Sequence, residues 1–459
     1  MRLVSVLIII LLSPVISIGQ IKYAKGLRFD TEQYRKVPKK ASLIRGDYED
    51  IPDNASVKQF SPYPGNQLQL NTSVSWAVVY GARTIIDAQS NGLMTKSEIS
   101  YASYSPVFNY VLSTPEGSLG CKTQTTITAV LESLKEYGVP KYVDFLEFCP
   151  DTIPQSILSL ASRNKITDYV RLFDENDAPE YKIDAVKKSL AEGLPVVIGI
   201  ICPPSFFLAR DFWQPREKVS DQYEGHALCV VGYDDSKFGG AFEVLNSWGK
   251  NWGNEGYIWI RYPDFVDFTK TAFEMFLIGQ DNNKIDFSGE IKLVLEDGQM
   301  MDTRLTNNGG YYQTTLEYRS GTNFRIYISN NETAYVYVFG TDKTNEFFPL
   351  FPYDNDISPV LNYKSSSVAL PSEDLHIQIT GDPGRDYLVI LYSKEELQLP
   401  DLMAKLQQTP GRIDERMQKI LGDYIIEYQN INWEDNTIKF SGTGKGKSLV
   451  PVFIEIQHN

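Results

Sequence analysis

Three kinds of hydrophobic spacing divide the chain. Val74, Ala77, Val78, Gly81, Ala82, Ile85 and Ile86 recur at intervals of three and four residues, which places them on one face of a helix, with Asn71 or Thr72 positioned to cap it. Ile127, Val130, Leu131 and Leu134 repeat that spacing before Gly138-Val139-Pro140 ends the element, and residues 183–191 predict a shorter helix. The runs 196–200, 227–233 and 241–245 are instead short and continuously apolar, as buried strands require, and Asp234 to Gly240 supplies turn residues between the last two. Beyond about residue 285 the runs 291–295, 311–318, 323–328, 334–339, 375–380 and 387–392 are β-branched and aromatic, broken by Gly, Asn and Asp. They predict an all-β, sandwich-like domain. Residues 395–421 then predict helix broken at Pro410-Gly411, with strands returning at 424–440 and 449–456.

Pairing of 227–233 with 241–245 about the middle of their turn sets opposite one another residues whose numbers sum to about 472–474. His226 and Asn246 then face each other at the open end of the hairpin. An amide beside an imidazole fixes its tautomer and orientation while the ring serves as base and then acid. Trp248 is placed to shield that contact from water.

Gly225-His226-Ala227 followed by Asn246-Ser247-Trp248-Gly249 and Trp252-Gly253-x-x-Gly256-Tyr257 resembles the papain family of cysteine peptidases around its catalytic His and Asn. The resemblance covers residues 53–278. It implies an α+β, papain-like two-part domain, a helical half facing a β-barrel-like half, across a cleft for an extended peptide or protein substrate or ligand. The expected division is a leader at 1–19, an extended lead-in at 20–58, the papain-like domain at 59–285, a β-sandwich-like domain at 286–395 and a helix-plus-strand extension at 396–459. Residues 334–339, with Leu350-Phe351-Pro352, Pro383-Gly384 and Leu388-Val389-Ile390, resemble a β-rich domain of unknown function carried by bacterial peptidases.

In the family a Gln precedes the nucleophilic Cys by six residues, with the Cys at the first turn of the central helix. On that pattern Gln67 is the oxyanion glutamine and Ser73 stands where the Cys belongs, since Asn66-Gln67 and Val74-x-Trp76 then both match. A second register, Gln69 with Ser75, stays open. Neither supplies a thiol, and Leu68 and Asn71 replace glycines of the family's turn. A serine hydroxyl must be deprotonated during attack, whereas a thiol at a helix N-terminus beside an imidazole rests as thiolate. With Asn246 rather than a carboxylate behind the ring, turnover is expected to be impaired or absent; an active peptidase using Ser73, His226 and Asn246 is the alternative. The resemblance also assigns Gly120 and Trp248 to the substrate-binding wall. The lead-in is shorter than the family's inhibitory prosegment, so no autoinhibition of that kind is expected.

The 459 residues carry a net charge of -14, which argues against nucleic acid as a partner. Met1-Arg2, the apolar stretch to Ile18 and Gly19-Gln20 fit a secretory signal, with an uncleaved N-terminal anchor as the alternative, giving a secreted, periplasmic or envelope location, and no later segment is long and apolar enough to span a bilayer. Of four cysteines, Cys121 and Cys149 are the candidate disulfide, and Cys202 and Cys229 lie in apolar runs as buried thiols. Three scattered histidines and no paired cysteine spacing call for no metal or cofactor. His376 and His458 stand beside no motif and are given no catalytic role. The oligomeric state is not legible.

Overall fold

The predicted apolar face starting at Val74 builds a helix that is buried nearly all round. The structure, a computed structural model, describes residues 23–114, 119–279, 284–306, 309–363 and 366–459; the expected leader at 1–19 lies outside them. The central helix opens at Ser73–Ser75, widens to a π-helical segment at Trp76–Arg83 and ends in Thr84–Ser90. Gly81 lets it lie against the neighbouring strand, because a Cβ there would come 3.0 Å from the Cβ of Cys229. Thr72 is the N-cap residue, yet neither candidate side chain caps: Thr72 Oγ1 is buried with no partner among the described residues, and Asn71 Nδ2 donates to Lys122 O.

The helical half, with Pro106–Ser113 and Ile127–Tyr137, packs on a sheet whose order is Asp168–Arg171, Thr269–Phe276, Val196–Ile201, Gly225–Asp234, Ala241–Leu245, Tyr257–Arg261 and Phe212–Trp213. Gly225–Asp234 and Ala241–Leu245 form the expected hairpin. Cys229 pairs with Leu245 and Val230 with Val244 before a bulge. The lead-in is more ordered than its polar composition predicts: Thr31–Lys36 and Arg45–Glu49 are helical, and Asn54–Ser56 joins the sheet beside Gly225–Asp234.

Two further sheets form the β sandwich. One runs Thr303–Leu305, Tyr311–Tyr318, Leu449–His458, Gly384–Ser393, Ala334–Thr341, Phe347–Phe351; the other runs Ser367–Leu370, Asn323–Ser329, Phe287–Leu295, Ile438–Gly442, Ile431–Trp433. Val336, Val338 and Ile390 face the sandwich core, while Tyr335, Tyr337, Phe339 and Leu391 alternate to the other side and join the larger core of the first domain. Burial on both faces makes Ala334–Thr341 continuously buried. Residues 396–459 are no appendage: Leu449–His458 lies between Tyr311–Tyr318 and Gly384–Ser393, parallel to the first. The expected strand at 375–380 shrinks to Ile377–Gln378. The overall class is α+β, and among the described residues no helix is long and apolar enough to cross a membrane.

Cys121 and Cys149 form the expected disulfide, 28 residues apart, and Cys202 and Cys229 are free and buried. Burial pushes the Cys202 thiol up to about 12 and raises that of Cys229 as well. Replacing Cys121 and Cys149 by serine is expected to lower the unfolding free energy by about 3–4 kcal/mol through loop-closure entropy. Denaturant titration checks this; an unchanged midpoint would mean that the loop is fully ordered without its crosslink.

Candidate active site

His226 is the second residue of its strand and is held on the other side by Ile200 in the ladder. The hairpin register carries it to Asn246, whose Oδ1 lies 2.7 Å from His226 Nε2 and also accepts the Ser247 N–H at 2.7 Å. Because Oδ1 can only accept, Nε2 bears the proton and Nδ1 is left as the bare nitrogen. Trp248 stacks on the imidazole with ring centroids 4.5 Å apart, and Phe206 packs against Trp248, Trp252 and the imidazole. Phe206 is therefore part of the packing around the imidazole. Burial pulls the His226 pKa down to about 3, outweighing the bond from Asn246, and Lys25 adds to the lowering. The ring is neutral at physiological pH.

The central helix brings Ser73 to the same place. Its Oγ accepts from the Ala227 N–H at 3.4 Å, one residue along the chain from His226, while His226 Nδ1 has no partner among the described residues. Ser75 Oγ is buried and also finds none. Gln67 is anchored by its Oε1, which accepts from Ser247 Oγ at 2.6 Å, and by its backbone N–H on Ser247 O. Gln67, Ser73, His226, Asn246 and Trp248 thus converge. Leu68, next to Gln67, adopts φ +55°, a left-handed conformation that costs a non-glycine residue of order 1 kcal/mol.

The site is filled by the chain itself. Lys25 O accepts from Gln67 Nε2 at 2.7 Å and from the Ser73 N–H at 3.4 Å. On one side Tyr23 stacks on Trp248 with centroids 4.6 Å apart, and Trp248 Nε1 donates to Ala24 O at 2.8 Å. On the other, Gly26 O and the Arg28 N–H bond to Thr125, and the Leu27 N–H reaches Gly225 O. Lys25 Nζ bonds to Cys202 O at 3.2 Å and pairs with Glu224 at 3.5 Å. The short lead-in, from which no prosegment-like autoinhibition is expected, nonetheless places residues 23–27 against the site. Its shortness proved no obstacle, because Gly26 allows backbone contact that a longer side chain would block: a Cβ there would fall 2.2 Å from Asn71 O. Gly120 lies in a turn at φ +71° where a Cβ would meet only Lys122, and the backbone that pairs with the bound segment is that of Thr125.

The profile of the papain family cysteine proteases matches residues 112–271, the span that carries His226, Asn246 and Trp248. The chain carries a papain-family peptidase domain. The helix bearing Ser73 precedes the matched span. An uncharacterized peptidase C1-like protein of Acanthamoeba polyphaga mimivirus is 26% identical over 152 residues, 32% of this chain and 47% of that protein. Cysteine proteinase 2 of Entamoeba histolytica is 30% identical over 132 residues, 28% of this chain and 39% of its own. The chain therefore spans less than half the length of these curated relatives. Among solved structures, xylellain, a cysteine protease from Xylella fastidiosa, is 20% identical and covers 56% of this chain and 96% of its own at a TM-score of 0.43. A domain of unknown function (DUF4384) matches residues 317–396, inside the β sandwich. What the sequence did not flag at this site is Tyr23, Lys25 and Thr125. Lys25 and Thr125 act mainly through backbone atoms, which leave no side-chain pattern to find.

Proposed function

We propose that this chain is an exported papain-family peptidase homologue with little or no turnover, its cleft built for extended peptide and held at rest by its own residues 23–27. The observation that carries this is the Lys25 carbonyl oxygen, which takes the N–H groups of both Gln67 and Ser73. In the family's chemistry such donors are needed for the charge that develops on a scissile carbonyl. Ser73 in the nucleophile position adds to the deficit, because a neutral imidazole with a pKa of about 3 is a poor acceptor for a hydroxyl proton. The leader-like pattern at 1–19 and the Cys121–Cys149 disulfide support an exported location.

The bound segment also supports peptide as the ligand class. It lies along the cleft through backbone bonds at Thr125 and Gly225 and an aromatic contact at Trp248, contacts that any extended peptide can make. The test compares the full chain with its His226→Ala variant on fluorogenic peptides and on unfolded protein. Equal, background-level rates are expected. Turnover by the natural chain that His226→Ala removes would establish instead a working hydrolase using Ser73 and His226.

A further inference from the structure

The β sandwich brings together three residues that lie far apart in sequence. Ser320 Oγ is 2.7 Å from His458 Nε2, and His458 Nδ1 is 3.2 Å from Asp386 Oδ2. The order, hydroxyl to Nε2 and carboxylate beside Nδ1, is that of a nucleophile, its base and the group that orients the base, with the carboxylate at ion-pair distance from Nδ1 rather than hydrogen-bonded to it. None of the three touches the papain-family cleft.

Each part is fixed by the fold. His458 pairs with Tyr318 on one side and Gly384 on the other, and its side chain is wholly buried. Asp386 lies two residues along the neighbouring strand from Gly384. Ser320 is exposed at the tip of the turn joining Tyr311–Tyr318 to Asn323–Ser329. That turn is tied down: the Gly321 N–H bonds to Ile379 O at 2.8 Å, and the Ile379 N–H returns to Thr322 O at 2.9 Å. Ser320 Oγ also lies 3.0 Å from Gly381 O, so its single proton is shared between that carbonyl and His458 Nε2. A carboxylate facing Nδ1 favours the tautomer with the proton on Nδ1, which leaves Nε2 free to accept.

We propose that Ser320, His458 and Asp386 form a second nucleophilic site, one that takes the acyl group of a small carboxylic ester. Ser320 Oγ attacks the ester carbon and its proton passes to His458 Nε2, where Asp386 faces the resulting imidazolium. The ester C–O bond breaks and the departing alkoxide takes that proton from Nε2 as the alcohol. Water then repeats the exchange on acyl-Ser320, releasing the acid and restoring the hydroxyl. Exposure of Ser320 at a turn admits small acyl donors from solvent and offers no enclosure for a long chain.

The full chain is treated with a fluorophosphonate, which forms a P–O bond to a reactive serine as the P–F bond breaks, and the adduct is located by peptide mass mapping. Labelling is expected at Ser320. It should fall at least about 10²-fold in Ser320→Ala, a change at an exposed turn, and persist in Ser73→Ala. Asp386→Asn keeps the shape and removes the charge, and its labelling rate is expected to drop at least tenfold. Hydrolysis of p-nitrophenyl acetate should follow the same ranking. An unlabelled Ser320 in the natural chain, or equal rates for the natural chain and Asp386→Asn, would overturn the proposal.

Discussion

A chain carrying both Ser73→Cys and Gly26→Ala is expected to gain peptidase activity about 10³- to 10⁶-fold over the natural chain, a range set by the cost of losing a nucleophile in other hydrolases. The thiol supplies what the hydroxyl lacks. At the first turn of the central helix, beside an imidazole, a cysteine pKa can fall to about 3–4, so that the nucleophile is present before substrate arrives. The thiol alone is not enough, because Lys25 O still holds the Gln67 and Ser73 N–H groups. Gly26→Ala removes that block. Its Cβ would lie 2.2 Å from Asn71 O and 2.3 Å from Asn71 C, and Gly26 adopts φ +141°, so the segment must leave its seat. Lifting the segment also moves Lys25 away, which removes the smaller of the two causes that lower the ring's pKa. Rates on fluorogenic peptides check the expectation. A silent double variant would mean that the scaffold cannot support the chemistry, and a fully active Ser73→Cys single variant would mean that residues 23–27 do not obstruct the cleft. Leu68, held at φ +55° beside Gln67, is expected to keep even the double variant below an unstrained relative.

How much of this was legible depended on whether side chains or backbone carried the information. The central helix and the hairpin announce themselves because burial selects apolar residues at fixed periods, and the hairpin's register then carries His226 to Asn246 without further assumption. Cys121 and Cys149, the candidate pair among the four cysteines, likewise meet. The seat of residues 23–27 was hidden, since carbonyls and N–H groups are the same at every position and only Gly26 hints at close approach. Helix capping failed as a local rule: Asn71 is drawn to Lys122 O by the turn around Cys121. The grouping of Ser320, Asp386 and His458 was equally hidden, because it depends on Leu449–His458 entering the sheet between two strands that precede it by many residues.

The polar lead-in, unremarkable as sequence, also makes the strongest prediction about stability. Lys40 and Glu274 are both buried, with side chains 4% and 0% exposed, and Lys40 Nζ bonds both carboxylate oxygens at 2.9 and 2.8 Å. Asn362 of the β sandwich donates to the same carboxylate, and Lys40 Nζ sits 4.2 Å from the centre of the Tyr363 ring. Around this contact the lead-in is bonded to both domains: the Lys40 N–H to Arg171 O on one side, the Lys39 N–H to Asp356 O and the Ser358 N–H to Lys39 O on the other. Lys40→Met keeps the volume and leaves Glu274 charged in a site closed to water, which is expected to cost about 3–5 kcal/mol. Adding Glu274→Gln removes the stranded charge, so the double variant is expected to recover much of that loss, a coupling that a double-mutant cycle in urea measures. The size of the coupling decides between two accounts of the lead-in. If Lys40→Met costs under about 1 kcal/mol, or the double variant is no better than the single, the ion pair is incidental and the domains are joined by apolar contact alone. If the coupling is large, Lys40 is the point at which residues 23–58 fasten both domains, and the segment in the cleft is continuous with the stretch that holds the molecule together.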